Sequence, residues 1–362
     1  MSESFDIPIG PLHVALEEPM YFQVSVQGET LTGMELYAGH VHRGIEYLTA
    51  KRNIYQNLVL LEHVCSLCSN SHPETFSMTL ETIAGIEVPP RAHYLRMIAD
   101  EIKRTASHLF NVAIMSHVIG FDSMFMHVMQ AREIMQDVKE TIFGNRMSMA
   151  ANIIGGVRYD LTGELTAFLL AQLDKLEPIL RDEIIPAYAT NRTILSRTRG
   201  IGVITREECV DHGLVGPVAR GSGIAFDVRE AAPYAAYAEL DFATQTMTDG
   251  DVWSRAMVRL HEALVSIGLL RQCVARLPSG PTNAGPLPHI PAGEAIARTE
   301  APRGELLYYV KTVGTDVPER VRCRVPSYMN WEALKVMMRH GRVADIPLII
   351  NSIDPCVSCT ER

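Results

Sequence analysis

Two pairs of cysteines stand near opposite ends of the chain, and each pair can present two thiolates to one metal ion. Cys65 and Cys68 form the first pair, and Cys356 and Cys359 form the second. Two ligands cannot complete a tetrahedral or larger coordination sphere, so either pair alone needs ligands from elsewhere. The sequence therefore predicts that the last segment of the chain folds back and joins the N-terminal pair in one site.

The spacing of the cysteines leaves two other interpretations open. Structural zinc is the commonest fate of two such pairs, but a zinc ribbon separates them by about 15 to 20 residues, whereas here residues 69–355 lie between them. A thioredoxin-like redox pair at the start of a helix would explain one pair and leave the other without a role.

Composition excludes several classes of protein. With 362 residues, 47% of them hydrophobic and 21% charged, the chain can bury a large core and is globular. The balance of 33 basic against 42 acidic residues, with no basic run, argues against nucleic acid as a partner. An odd count of seven cysteines with no recognisable signal peptide favours a reducing, cytoplasmic compartment.

Residues 105–131 are the nearest approach to a membrane span. They carry Asp122 together with His108, Asn111, His117 and His127, all of which are costly to place in lipid. The pattern therefore predicts a helix buried inside a large protein, and any attachment to a membrane would come from partners.

Hydrophobic periodicity divides the single predicted domain, residues 1–362, into three regions. Residues 1–50 are typical of strands, residues 51–276 of a helical bundle, and residues 277–362 of strands, a helix and the metal-binding tail. The last region contains a predicted hairpin of residues 306–310 with 321–325 and a predicted buried strand at 346–350. The fold class is thus α+β, with a mainly helical bundle core and small peripheral antiparallel sheets.

The two cysteine motifs resemble those of the large subunit of nickel-iron hydrogenases, and the resemblance extends over nearly the whole chain. Three further matches are independent of the cysteines. The five matching motifs are Cys65-x-x-Cys68-x-x-x-His72, Asp354-Pro355-Cys356-x-x-Cys359, Arg43-Gly44-Ile45-Glu46, Glu300-Ala301-Pro302-Arg303-Gly304 and Val325-Pro326-Ser327.

Within that family the chain is most similar to the large subunit of the membrane-bound, energy-converting branch, of the Ech or CO-induced kind. This branch is related to the 49-kDa subunit of respiratory complex I, and residues 10–13, 216–223 and 249–259 are similar to that shared lineage. The relationship supplies an alternative function, a metal-free redox or quinone-site scaffold. Such relatives lack the four cysteines that this chain has.

The resemblance implies a nickel-iron centre that interconverts dihydrogen with protons and electrons. Cys65 and Cys356 would be terminal ligands of nickel, while Cys68 and Cys359 would bridge nickel to an iron that also holds carbon monoxide and cyanide. Thiolates suit both metals because they are soft ligands, and a thiolate has lone pairs enough to bridge two metals.

The resemblance also implies which groups surround the centre. Arg303 would hang over its open side, Ser327 would donate to a cyanide, and His72 would hydrogen-bond a bridging sulfur. Asp122 and Asp354 are further candidates for positions beside the ligands.

A proton released in a dry site needs a carboxylic acid beside a terminal thiolate. Glu17 stands where the family has a proton-relay glutamate, and Glu18 is its rival, so Glu17, Arg303 and Cys356 are the predicted catalytic groups. In many relatives the counterpart of Glu46 binds magnesium or iron together with a histidine after the last cysteine. Here Arg362 takes the place of that histidine, so we expect a Glu46 to Arg362 ion pair at least as readily as a metal.

Electrons would leave through partners, because Cys209, Cys273 and Cys323 are too scattered to bind a cluster. The resemblance implies a small subunit with a four-iron four-sulfur cluster, a ferredoxin-like subunit that makes ferredoxin the expected electron carrier, and integral membrane subunits that translocate ions. The chain would then sit peripherally on the cytoplasmic side of the cell membrane. Since Arg362 follows Cys359 by three residues, we also expect maturation without removal of a C-terminal extension.

Overall fold

The computed structural model describes residues 4–13, Leu16 and residues 18–362. Glu17 lies outside these residues. Five long helices form the centre of the molecule: α3 (Ser71–Ala84), α4 (Pro90–Ile119), α5 (Asp122–Phe143), α6 (Gly163–Pro178) and α12 (Val252–Arg276). Helix α4 packs against both α5 and α12, so its side chains are buried on almost every face.

The first helices and those of the middle region are short. They are α1 (Ile45–Thr49), α2 (Ile54–Glu62), α7 (Ile185–Thr190), α8 (Arg192–Thr198), α9 (Arg206–Asp211), α10 (Gly216–Arg220) and α11 (Val228–Ala231). A π-helical segment, Ile179–Ile184, joins α6 to α7. The C-terminal region adds α13 (Pro326–Asn330), α14 (Ala333–Met337), α15 (Ile346–Ser352) and α16 (Val357–Thr360).

The described residues form three small antiparallel sheets around the helices. The first contains β1 (Ser4–Ile9), β2 (Tyr21–Gln27) and β3 (Thr30–Tyr37) in that order, the second β4 (Asn152–Ile153) and β5 (Gly156–Val157), and the third β6 (Ala292–Ala301), β7 (Gly304–Val313) and β8 (Arg320–Arg324). Alternate residues of β2, namely Phe22, Val24 and Val26, are buried, as the two-residue period of a strand requires. The predicted α+β class is confirmed.

The predicted hairpin of residues 306–310 and 321–325 is confirmed, because β7 pairs with β8 and Val310 lies opposite Val321. The strand predicted at 346–350 is wrong, since these residues form helix α15. A short apolar run does not reveal by its periodicity whether it is a buried strand or a buried helix. Here Pro347 occupies the first turn, where a helix tolerates proline, and the helix packs between α4 and α12.

Residues 105–131 belong to two helices that are separated at Gly120, whose φ of 87° ends α4 in a left-handed residue. In the part of the chain that the structure describes, no helix is both long enough and apolar enough to cross a membrane.

Two local features place the site. The turn between β6 and β7 contains Pro302 and Arg303, and it lies so close to α10 that a Cβ on Gly304 would be 2.7 Å from the backbone nitrogen of Gly216. The φ of Gly304 is 127°, a conformation that favours glycine. Between α15 and α16, just ahead of the last two cysteines, Asp354 adopts a left-handed conformation with a φ of 55°.

Candidate metal centre

The four cysteines of the two motifs come together in one buried group. The Sγ atoms of Cys65, Cys68, Cys356 and Cys359 all lie within 4.8 Å of one another, and all four side chains are buried. The first two belong to the loop between α2 and α3, while the last two open and occupy α16. The predicted meeting of the tail with the N-terminal pair is therefore present in the structure.

Arg43 joins the two cysteine segments. Its guanidinium donates to the carbonyl oxygens of His63 at 3.2 Å and Val64 at 2.6 Å, immediately before the first pair. It also donates to the carbonyl oxygen of Ser358 at 3.1 Å, between the last two cysteines. Because one side chain satisfies backbone acceptors of both segments, it fixes their separation.

The electrostatics of the group favour a cation. Hydrogen bonds from Cys356 and Cys359 hold the pKa of the Cys68 thiol well below its usual range, whereas burial raises the pKa values of Cys356 and Cys359. Four thiolates so close together repel one another, so they can all ionise only around a positive ion. Four thiolates are soft ligands that bind hard ions such as magnesium poorly, and they suit nickel, iron or zinc.

Arg303 brings a positive charge directly against this group. Its Nη1 lies 3.2 Å from Cys68 Sγ and 3.4 Å from the Ser107 hydroxyl, and its Nη2 donates to Asp354 Oδ1 at 2.7 Å. Its Nε donates a further hydrogen bond to the carbonyl oxygen of Asp354 at 2.7 Å, so Arg303 makes two hydrogen bonds to this residue. The predicted Arg303 and Asp354 thus lie beside the cysteines as one fully buried ion pair.

Two more predicted residues contact the ligands. Ser327 Oγ accepts a hydrogen bond from the backbone nitrogen of Cys356 at 3.0 Å, which leaves its hydroxyl proton available as a donor. His72 Nε2 lies 3.3 Å from Cys359 Sγ. Burial lowers the pKa of His72 to about 4, so the ring is neutral near pH 7.

Glu18 reaches the tail from the N-terminal segment. Its Oε2 accepts from the backbone nitrogen of Ser358 at 2.9 Å, and its other oxygen accepts from the Ser358 hydroxyl. Glu18 also lines a cleft of about 330 Å³ together with Cys65, Cys356 and Arg43, so this carboxylate lies at the entrance to the cysteine group.

Glu46 pairs with guanidinium groups at the place where the sequence left a metal ion as the alternative. Its Oε1 lies 3.2 Å from Nε of Arg362, its Oε2 pairs with Arg322, and the backbone nitrogen of Cys323 donates to Oε1 at 3.1 Å. Two cations already neutralise this one carboxylate, so a divalent ion at the same oxygens would be repelled. The residues present do not fit magnesium or iron at Glu46.

The predicted place of Asp122 beside the centre is wrong. Its side chain is 73% exposed at the start of α5, where it pairs with His117 at 2.7 Å. The cysteines lie in the interior, and an exposed carboxylate has no access to their surroundings. A negative charge in the first turn of a helix is favoured by the helix dipole, which explains the residue without a catalytic role.

Sequence reasoning missed Tyr308 and Lys103. The hydroxyl of Tyr308 is 2.7 Å from His72 Nδ1, and Lys103 Nζ donates to the carbonyl oxygens of Ser66 at 2.6 Å and Met147 at 2.9 Å. Burial lowers the pKa of Lys103 to about 8. Tyr308 lies in an alternating strand and Lys103 in a helical repeat, so neither position carried a local signal.

A bundle of long helices with small antiparallel sheets around it is the fold of the large-subunit class shared by hydrogenases and complex I. Residues 118–289 and 286–362 match the family model described as the respiratory-chain NADH dehydrogenase 49 Kd subunit. The chain belongs to this family of large subunits, and the predicted resemblance is confirmed.

The relatives that match the chain over almost its whole length include two hydrogenases. It is 67% identical over 359 residues to the carbon monoxide-induced hydrogenase of Rhodospirillum rubrum, with 99% of both chains covered. It is 36% identical to the membrane-bound hydrogenase subunit alpha of Pyrococcus furiosus, covering 98% of this chain and 87% of that one. Both relatives carry hydrogenase in their names, and the second is part of a membrane-bound enzyme.

A solved structure shares the fold. A chain of the membrane-bound sulfane sulfur reductase, an archaeal respiratory membrane complex, matches with a TM-score of 0.94 and 30% identity over 99% of each chain. The relatives therefore include subunits of membrane-bound complexes with more than one kind of redox chemistry. The difference between them must lie in the site and not in the fold.

Proposed function

We propose that this chain is the catalytic subunit of a nickel-iron hydrogenase, which interconverts dihydrogen with two protons and two electrons. The observation that carries the proposal is the buried group of four cysteines, with its Sγ atoms within 4.8 Å of one another. The 67% identity to a hydrogenase over nearly the full length supports the same activity. Cys65 and Cys356 would bind nickel alone, and Cys68 and Cys359 would bridge nickel and iron.

The residues around the group have distinct tasks in this proposal. When bound, a nickel-iron centre supplies the heterolytic cleavage of dihydrogen. Arg303 places a positive charge 3.2 Å from Cys68 Sγ, in a dry environment where the charge is strongly felt. Asp354 holds that guanidinium in place, and Ser327 anchors the backbone of Cys356.

The proton acceptor in this proposal is Glu18 or Glu17. Glu18 is favoured by its contacts with Ser358, between the two last cysteines, and by its place on the cleft at Cys65 and Cys356. Its carboxylate can take a proton at the cleft and pass it outward, because one side of it is open to that cleft.

Electrons would leave through a small subunit with a four-iron four-sulfur cluster and a ferredoxin-like subunit, with ferredoxin as the electron carrier. Integral membrane subunits would hold the assembly at the cytoplasmic side of the membrane and couple hydrogen evolution to ion translocation. The relatives named as parts of membrane-bound complexes support this arrangement.

A metal-free scaffold like the complex I subunit is the second candidate, since relatives of that kind are about 35% identical. The four cysteines argue against it. A metal-free protein would bury four thiols in one group, and any of them that ionised would carry a desolvated charge, which Arg303, 3.2 Å from Cys68 Sγ, offsets in part.

Metal analysis and an infrared spectrum of the complex, purified from cells that make it, test the proposal. One nickel per complex, carbon monoxide and cyanide bands, and more iron than nickel because the partner subunits hold iron-sulfur clusters are the expected result. Zinc in place of nickel, without those bands, would show a structural cysteine site, and neither nickel nor zinc, again without those bands, would show a scaffold subunit. Either result, in material that shows the electron-transfer activity of the complex, overturns the proposal.

A further inference from the structure

His72 lies between a cysteine of the metal group and a tyrosine of strand β7. Its Nε2 is 3.3 Å from Cys359 Sγ, and its Nδ1 is 2.7 Å from the hydroxyl oxygen of Tyr308. Both side chains are fully enclosed, with His72 1% and Tyr308 0% exposed. The polar atoms of these two side chains must therefore find their hydrogen-bond partners within the protein.

The chemical properties of Cys359 and Tyr308, the two partners of His72, set the direction of the hydrogen bonds. A metal-bound thiolate accepts hydrogen bonds and has none to donate, so the nitrogen that faces Cys359 must carry a proton. In a neutral imidazole the other nitrogen then has no proton and can only accept. The Tyr308 hydroxyl must consequently donate to Nδ1 of His72.

We propose that Tyr308 is a positioning residue that holds His72 in the Nε2–H tautomer, so that this ring donates a hydrogen bond to the sulfur of Cys359. The inference rests on the proposed function for its effect on the metals. A hydrogen bond withdraws electron density from a ligating sulfur, so Tyr308 tunes the centre without touching it.

The surroundings of Tyr308 keep its hydroxyl in place. Its ring lies edge-on to His72, with the centroids 5.9 Å apart, and to Phe76 at 6.3 Å. Across the sheet it pairs with Cys323 in β8, whose thiol also interacts with the hydroxyl. Replacement of Tyr308 by phenylalanine keeps this ring packing and removes only the hydroxyl.

Tyr309 is a matched control in the same strand. It is the next residue, so its side chain points to the opposite face of the sheet, and its hydroxyl is 2.7 Å from Glu294 Oε2 in an exposed position. Tyr309→Phe removes the same atom from the same strand, on the face of the sheet that is turned away from His72.

The experiment compares the infrared spectra and the hydrogen-oxidation rates of the intact complex with wild-type, Tyr308→Phe and Tyr309→Phe chains. Without the tyrosine, His72 no longer has a fixed tautomer, and Cys359 donates more electron density to iron. The carbon monoxide band should move to lower wavenumber, and the rate should fall about 10-fold or more. Tyr309→Phe should match the wild type, and an unshifted spectrum in Tyr308→Phe overturns the inference.

A double variant tests whether Tyr308 acts through His72. In a His72→Gln background the tautomer no longer exists, so adding Tyr308→Phe should shift the band and the rate no further. Additive effects of the two substitutions would show that Tyr308 acts by another route, and would overturn the inference.

A measurement on the full-length chain loaded with zinc alone separates this inference from the proposed function, because zinc keeps Cys359 a thiolate without a nickel-iron centre. Nitrogen NMR with labelled histidine, assigned with His72→Gln, should show His72 protonated at Nε2 in the wild type and in both tautomers in Tyr308→Phe. Equal spectra overturn the role of Tyr308 even if the complex cannot be isolated. A wild-type complex without carbon monoxide bands overturns the proposed function, whereas the NMR result still decides the role of Tyr308.

Discussion

The guanidinium of Arg362 lies 3.2 Å from the carboxylate of Glu46 and fastens the last turn of the chain to helix α1. The same guanidinium donates to the carbonyl oxygens of Thr360 at 3.1 Å and Cys359 at 3.3 Å, and also to that of Cys323. The side chain of Arg362 thus links Glu46 to the tail. The sequence had left a divalent metal ion as the alternative way to make this link.

This relationship predicts that no divalent ion binds at Glu46 to link it to the tail. A chelator such as EDTA should leave the thermal midpoint of the loaded complex unchanged, whereas Arg362→Ala should lower stability by about 1–3 kcal/mol through loss of the charged hydrogen bonds. Calorimetry with and without chelator measures both effects. Arg322→Ala is the control, because Arg322 also pairs with Glu46 but belongs to strand β8 and not to the tail. Magnesium at one ion per chain, removable with loss of stability, would contradict the prediction.

Loss of one bridging thiolate should empty the site. In Cys68→Ser a hard hydroxyl replaces a soft thiolate that the proposal shares between two metals, so nickel and iron should both be lost from the purified chain. Elemental analysis measures the metals per chain. The isolated thiol Cys209 offers the control, because Cys209→Ser removes a buried sulfur outside the group and should leave the metal content unchanged. Full occupancy in Cys68→Ser would exclude a bridging role.

Glu17 and Glu18 are the two candidates for the proton-relay residue. Glu18→Gln keeps the size of the side chain but removes the basic oxygen beside Ser358, so exchange between dihydrogen and solvent protons should fall by about 100-fold or more. Nickel content should stay at the wild-type value, which separates proton transfer from assembly. Mass spectrometry of the exchange products under deuterium measures the rate. Glu17→Gln is the matched comparison, and a loss of exchange in Glu17→Gln alone would assign the relay to Glu17.

Much of the site was accessible from the sequence because its residues stand in local motifs. The spacing of Cys65 and Cys68, and the interpretation of Arg303 from its motif, required only neighbours along the chain. Tyr308 was not accessible, because its role depends on the pairing of a strand with a helix more than 200 residues earlier. Asp122 illustrates the opposite error. Residues 105–131 were predicted as one buried helix, but the helix break at Gly120 leaves the Asp122 side chain exposed at the start of α5.

The fold shows the same division between local and distant information. Strands β7 and β8 followed from alternation and an intervening turn, but helix α15 was predicted as a strand. Its residues are apolar on all sides, so their pattern has no period that distinguishes the two structures. Its burial between α4 and α12 decides the outcome, and that contact is absent from the local sequence.

The acid stability of the chain provides the last prediction. Burial by itself raises the pKa of Glu262, but Arg220 at 2.7 Å and the hydrogen bond from His108 at 2.9 Å outweigh burial and lower that pKa to about 2. A carboxylate whose pKa is lower in the folded than in the unfolded state stabilises the fold above the unfolded value of 4.5. That contribution declines as the pH falls from about 4.5 toward 2, where the folded carboxylate takes up its proton.

Glu262→Gln should therefore lower the free energy of unfolding by about 3 kcal/mol at pH 7 and by much less at pH 2 to 3. Urea denaturation of the full-length chain at several pH values measures the difference. Glu133→Gln is the control, since Glu133 is half exposed beside Arg146 and its loss should change stability by no more than about 1 kcal/mol at any pH. If the cost of Glu262→Gln were the same at pH 3 as at pH 7, its buried ion pair with Arg220 would not account for the acid sensitivity of this fold. The cost would then come from packing, because a packing defect does not depend on protonation of the carboxylate.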